Sequence, residues 1–177
     1  MKMNTLEAIA KRKSTRAYKN DPIPESAVEA IIKAACAAPV AMAKYENLHI
    51  TVIRSEDVIA KINEMTAEMF FKRMGVKKNT DFGARTMVIV SSKSDMLPPE
   101  MELANAGIVI ENMVLAATSL GIDSVILGGA PSIIAQNDDM MKELGIPEGF
   151  KPALGALFGY AETDEPAKSY TISVNRV

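Results

Sequence analysis

The run Glu102–Gly129 (ELANAGIVIENMVLAATSLGIDSVILGG) constrains this chain more than any other stretch. From about Glu100 to Leu120 no residue breaks a helix, and Gly121 stands where a left-handed C-terminal cap belongs. At 1.5 Å per residue such a helix is about 30 Å long, the width of a small domain. Its apolar residues (Leu103, Ile108, Val109, Ile110, Met113, Val114, Leu115, Leu120) and its alanines leave almost no polar face, which predicts a buried core helix. Glu111 and Asn112 interrupt the run short of the roughly 20 apolar residues a membrane span needs, so both are expected to find partners inside protein. Ser124–Leu127 then reads as a buried strand that ends in Gly128-Gly129, where a ligand can approach bare backbone.

A chain of 177 residues, 48% hydrophobic and 24% charged, predicts one globular domain spanning 1–177. A net charge of −2 implies no nucleic-acid or acidic-membrane partner. One cysteine and one histidine argue against an internal disulfide and a protein metal site. Cys36, in an alanine-rich helical stretch, reads as a buried structural thiol, and His49 as filler in a strand. The first residues carry no apolar signal segment, so a cytoplasmic protein is expected.

Hydrophobic periodicity places helices at Leu6–Arg12, Glu25–Ala38 and Asp57–Met74, with the second stopped by Pro39. A further helix is expected from Ser132 to about Leu144. Strands are expected at Leu48–Ile53, Thr86–Ser91, Ser124–Leu127 and Pro152–Tyr160, the last with glycines that suggest close packing. The tail is polar, with Tyr170–Val174 extended. The pattern predicts an α+β fold, a central mixed or antiparallel sheet flanked by helices around the long core helix.

No Ser/His/Asp set, HExxH, P-loop or GxGxxG motif is present, so no side chain stands out as a catalyst. Enzymes that borrow a cofactor's chemistry need none. Three places remain as candidates. Arg12, Lys13, Ser14 and Arg16 offer charge-assisted donors and a hydroxyl suited to a phosphate monoester, although a basic helix end also simply complements the helix dipole. Pro39, Val40 and Ala41 form a small-residue helix stop, and Gly128-Gly129 a bare turn.

Taken in order, these pieces resemble the nitroreductase family of FMN-dependent oxidoreductases. Arg12-Lys-Ser-Thr-Arg16, followed by Tyr18, resembles its N-terminal R-x-S-x-[RK] corner, and Ala34-Ala35 to Ala38-Pro39 resembles A-A-x-x-A-P-S. Glu111-Asn112-Met113-Val114-Leu115-Ala116-Ala117 with Leu120-Gly121 resembles the [EQ]-N-M-x-L-A-A-x-x-L-G core helix. Leu144-Gly-Ile-Pro147 and Gly155–Gly159 resemble L-G-I-P and the terminal G-x-x-x-G-Y strand.

The resemblance implies an interlocked homodimer with FMN at the interface and NADH or NADPH as hydride donor. By the same resemblance Arg12, Lys13, Ser14 and Arg16 hold the phosphate and pyrimidine edge, with Arg16 tuning reduction. Gly128 and Gly129 lie at flavin N5, and Pro39, Val40 and Ala41 pack on the ring from the partner subunit. Lys168, or less well Arg176, adds a phosphate contact from the tail. The implied activity is hydride transfer from NAD(P)H, then reduction of a nitroaromatic, quinone or similar small acceptor, by a ping-pong mechanism. The chain departs from the pattern at Val40, Ala43, Tyr45, Glu46 and Asn47, where the family carries Ser, Asn, Gln, Pro and Trp in turn, and at Tyr170, where an Arg is common. It also lacks an insertion that often walls the substrate pocket. These departures leave room for specialised flavin chemistry, such as reductive dehalogenation or flavin fragmentation, or for a flavin-binding protein with little turnover.

Overall fold

The structure is a computed structural model, and it describes residues 3–93 and 99–177. Among the described residues four strands make one sheet: β1 (Leu48–Ile53), β2 (Thr86–Lys93), β3 (Asp123–Leu127) and β4 (Phe150–Gly159), in the order β1-β2-β4-β3. All three ladders are antiparallel, and Ser14 adds an isolated parallel bridge to Ser124 on the open edge of β3. The helices are α1 (Thr5–Lys11), α2 (Glu25–Cys36), α3 (Glu56–Met74), α4 (Pro99–Ser119), α5 (Gly129–Ile134) and α6 (Asp138–Glu143). This is the α+β architecture expected from the pattern.

The sheet divides the core in two because side chains alternate along each strand. Val88, Val90, Ala156 and Phe158 face α2 and α4, while Met87, Ile89 and Leu157 face α3, α5 and α6. Glycine permits the tightest approaches across this wall. A Cβ on Gly155 would stand 2.9 Å from the Val88 carbonyl oxygen, and one on Gly159 would stand 2.9 Å from the Tyr18 ring.

Several helix ends follow from local chemistry. Asn4 closes a capping box with Glu7, and Ser55 caps α3. Gly121, at φ +75°, ends α4: its N–H donates to Thr118 O and the Ile122 N–H to Ala117 O, the two bonds of a Schellman motif.

Five expectations change. The helix expected from Ser132 to Leu144 is two helices, because the Asn137 side chain accepts from Met140 N at 2.9 Å and starts α6 afresh. α2 ends at Cys36, not Ala38, and the Cys36 thiol is exposed rather than buried, since the apolar face of α2 is the one carrying Val28, Ile31 and Ala35. Asn112 does find a partner, its Nδ2 donating to Ala34 O at 3.1 Å, but Glu111 is exposed. α4 itself is buried on one side only. The sheet and α2 cover Ala106, Val109, Ile110, Met113, Val114 and Ala117, whereas Leu103 is 55% and Ile108 40% exposed within the chain.

Candidate functional site

Residues 12–18 leave α1 and run along the free edge of β3. The Thr15 N–H donates to Ser124 O at 3.0 Å, and Tyr18 bridges Ala161 past the end of β4. This extended path sends Thr15 inward and leaves Ser14 and Arg16 exposed. Beyond β4 the chain returns over the same corner, with the Glu162 N–H donating to Ala17 O at 3.1 Å. The two segments enclose a cleft of about 430 Å³, lined by Arg12, Lys13, Ser14, Arg16 and Ala17 on one wall and by Glu165, Lys168 and Tyr170 on the other. Four cationic side chains thus face one carboxylate, a setting that favours an anion with several oxygen acceptors.

Asp123, the first residue of β3, fixes the corner. Its Oδ1 accepts from the Thr15 hydroxyl at 3.2 Å and lies 3.8 Å from the Lys13 ammonium, and its Oδ2 accepts from Ala161 N at 3.2 Å. The same carboxylate acts on Tyr18, which is buried with no partner for its hydroxyl among the described residues. Burial first, and the negative Asp123 second, push the Tyr18 phenol far above its ordinary pKa, with Arg16 opposing weakly.

The glycine pair lies at the other end of β3, about 16 Å away at 3.3 Å per residue. Gly128 adopts an ordinary conformation (φ −105°, ψ −29°), and among the described residues a Cβ there would meet nothing within 4 Å. Gly129 differs, since a Cβ would come 3.3 Å from Thr66 Cγ2 and 3.5 Å from the Phe70 ring. Packing against α3 therefore accounts for Gly129, whereas nothing among the described residues requires the bare backbone of Gly128.

The Pro39–Ala41 turn is pinned from three sides. Ala41 N donates to Asn105 Oδ1 at 3.1 Å, the Tyr45 hydroxyl donates to Ala38 O at 3.0 Å, and Asn112 holds Ala34. Met42 and Ala43 follow at φ +57° and +53°, a left-handed pair that costs non-glycine residues about 1–2 kcal/mol each.

The corner residues Arg12, Lys13, Ser14 and Arg16 are thus brought together with Lys168. Gly128, Gly129, Pro39, Val40, Ala41 and Arg176 do not line that cleft. Sequence reasoning missed Asp123, Thr15, Asn105 and Tyr45. Asp123 and Thr15 are 108 residues apart, so no local spacing signals their bond. His49 packs edge-on to Phe150 with ring centroids 6.0 Å apart. Among the described residues no group of three or more His, Cys, Asp or Glu side chains could hold a metal, and no helix is long and apolar enough to cross a membrane.

A protein from Archaeoglobus fulgidus, provisionally named NADH dehydrogenase/NAD(P)H nitroreductase, is 30% identical over 164 residues, covering 90% of this chain and 87% of the relative. A nitroreductase with bound FMN from Desulfitobacterium hafniense superposes with a TM-score of 0.83 at 26% identity, over 98% of this chain and 100% of the other. A second nitroreductase with bound FMN, from Bacteroides fragilis, gives a TM-score of 0.83 at 29% identity, over 99% and 97%. The model of the nitroreductase family matches residues 9–160, and the chain belongs to that family.

Proposed function

We propose that residues 1–177 form one FMN-binding domain of a cytoplasmic oxidoreductase that takes hydride from NADH or NADPH. It passes the electrons to a nitroaromatic, a quinone or a similar small acceptor, in two half-reactions at one site. The observation that carries this reading is the cleft in which Arg12, Ser14, Arg16 and Lys168 converge. Two cationic side chains, Arg12 and Lys168, and the Ser14 hydroxyl suit the monoester phosphate of FMN, with Arg16 beside them for the ring, and they have no equivalent use for a neutral ligand. Bound FMN supplies a ring nitrogen, N5, that accepts and returns hydride.

The residues of the chain then divide the work. Arg12 and Lys168 would neutralise the phosphate, the Ser14 hydroxyl would donate a hydrogen bond to it, and Arg16 would serve the pyrimidine edge, where a cation favours negative charge on the reduced ring. Gly128 lets the ring approach its backbone N–H, which fits a residue whose missing side chain the chain's own packing does not require. Pro39, Val40 and Ala41 offer a small-residue surface to the ring of a second subunit, held in shape by Asn105 and Tyr45. A homodimer is supported by the exposed apolar face of α4 and by the tail, where Tyr170, Ile172 and Val174 are all strongly exposed.

Titration with FMN and with riboflavin, which lacks the phosphate, tests the reading. FMN is expected to bind at least about 100-fold more tightly, since charge-assisted bonds contribute about 1.5–3 kcal/mol each. Arg12→Ala should narrow the gap. Equal affinities for the two flavins, or no binding of either, would contradict the assignment.

A further inference from the structure

Lys13 lies in the basic corner, yet its ammonium is already engaged. An ammonium has three N–H donors. In the structure Nζ donates to Glu165 O at 2.6 Å and stands 3.8 Å from Asp123 Oδ1 and 3.9 Å from Asp164 Oδ1. The side chain is mostly buried, and it lines both the cleft of the basic corner and a second cleft of about 550 Å³, as do Glu165 and Pro166. Three oxygens therefore surround the one charge, two of them on the returning tail.

The tail needs such a tether. Past the Glu162 bond to Ala17 it has no regular secondary structure, yet this segment carries Lys168 and Tyr170, the far wall of the cleft. Asp123 is well placed to anchor the tether, because Thr15 and Ala161 already fix its carboxylate. We infer that Lys13 is a positioning residue, a latch that joins Asp123 to the tail and so presents Lys168 to the anion, and that it is not itself a phosphate ligand. The choice of anion rests on the FMN reading above, whereas the latch does not.

Two measurements on the purified full-length protein test this. Backbone order parameters of residues 164–168, recorded without flavin, should be those of a rigid segment in the wild type. In Lys13→Met they should fall below about 0.6. Lys13→Arg, which keeps the charge, should restore most of the order and show that the change is not general unfolding. FMN affinity should then fall about tenfold in both Lys13→Met and Lys168→Met. The double variant should be no weaker than either single one, because both remove the same contact. Riboflavin affinity should change little in all of them.

Unchanged order in Lys13→Met would overturn the latch. So would FMN losses that multiply in the double variant, which would make Lys13 a direct ligand. A wild type that binds no FMN, with a tail that still loosens in Lys13→Met, would support the latch and defeat only the flavin reading.

Discussion

Gly128 and Gly129 are adjacent, and each lacks a side chain for a different reason. Thr66 and Phe70 press on Gly129, so Gly129→Ala should cost about 1–3 kcal/mol in urea unfolding. Gly128→Ala should leave stability unchanged within about 0.5 kcal/mol, yet lower flavin content on purification. Full flavin occupancy in a stable Gly128→Ala protein would remove that residue from the site. Tyr18 gives a second test at this scale. Its phenol is held protonated in the fold, while in the unfolded chain it ionises near pH 10. The unfolded state therefore binds fewer protons above that pH, and wild-type stability should decline as pH rises through 10 and beyond. Tyr18→Phe should lack that part of the decline and be no less stable at pH 8, since it deletes a buried hydroxyl with no partner. Chemical denaturation at pH 8 and pH 10.5 separates the two proteins. At this scale the sequence revealed the donors of the corner but not the residue that sets them. Arg12, Ser14 and Arg16 stand close together in the chain and read as a group. Asp123 acts through Thr15, Lys13 and Ala161, which only the fold brings to it.

The elements were legible wherever one signal dominated. Continuous apolar runs marked β2 and α4, and Gly121 marked the end of α4, because backbone conformation leaves few alternatives there. Where a side chain competed with the helix ladder, the reading failed: Asn137 divides α5 from α6 through a bond to one backbone amide. Asn105 was equally silent, a polar residue in an alanine-rich turn of α4 that proves to hold Ala41 from 64 residues away. Asn105→Ala strands that amide, and about 1–3 kcal/mol of stability should be lost. The loss should come with altered proton shifts at Ala41 and Met42, where the left-handed pair depends on the pin. A variant as stable as the wild type, with the turn unmoved, would show that packing alone holds the loop.

At the scale of the molecule, the sequence pattern carried the layered α+β architecture, since alternation within β2 and β4 assigns each side chain to one of two cores. It did not carry the burial of α4. An apolar circumference says that a helix is covered but not by what, and within this chain Leu103 and Ile108 stay open to solvent. The proposed homodimer would cover them with a second copy. Leu103→Glu combined with Ile108→Glu should shift the sedimentation coefficient from that of a dimer to that of a monomer, while circular dichroism keeps the fold. A wild type that sediments as a monomer at micromolar concentration would leave the α4 face and the Pro39–Ala41 surface without their proposed partner.

The most direct measurement is the absorption spectrum of the protein purified without added flavin, from 300 to 600 nm, before and after anaerobic NADH or NADPH. Flavin bands should be present, bleach with a nicotinamide donor and return when a quinone or nitroaromatic is added. Protein that carries no flavin and takes up none from added FMN would contradict the proposed function. So would bound flavin that neither donor reduces, which would keep the cleft as a flavin site and remove the proposed reaction.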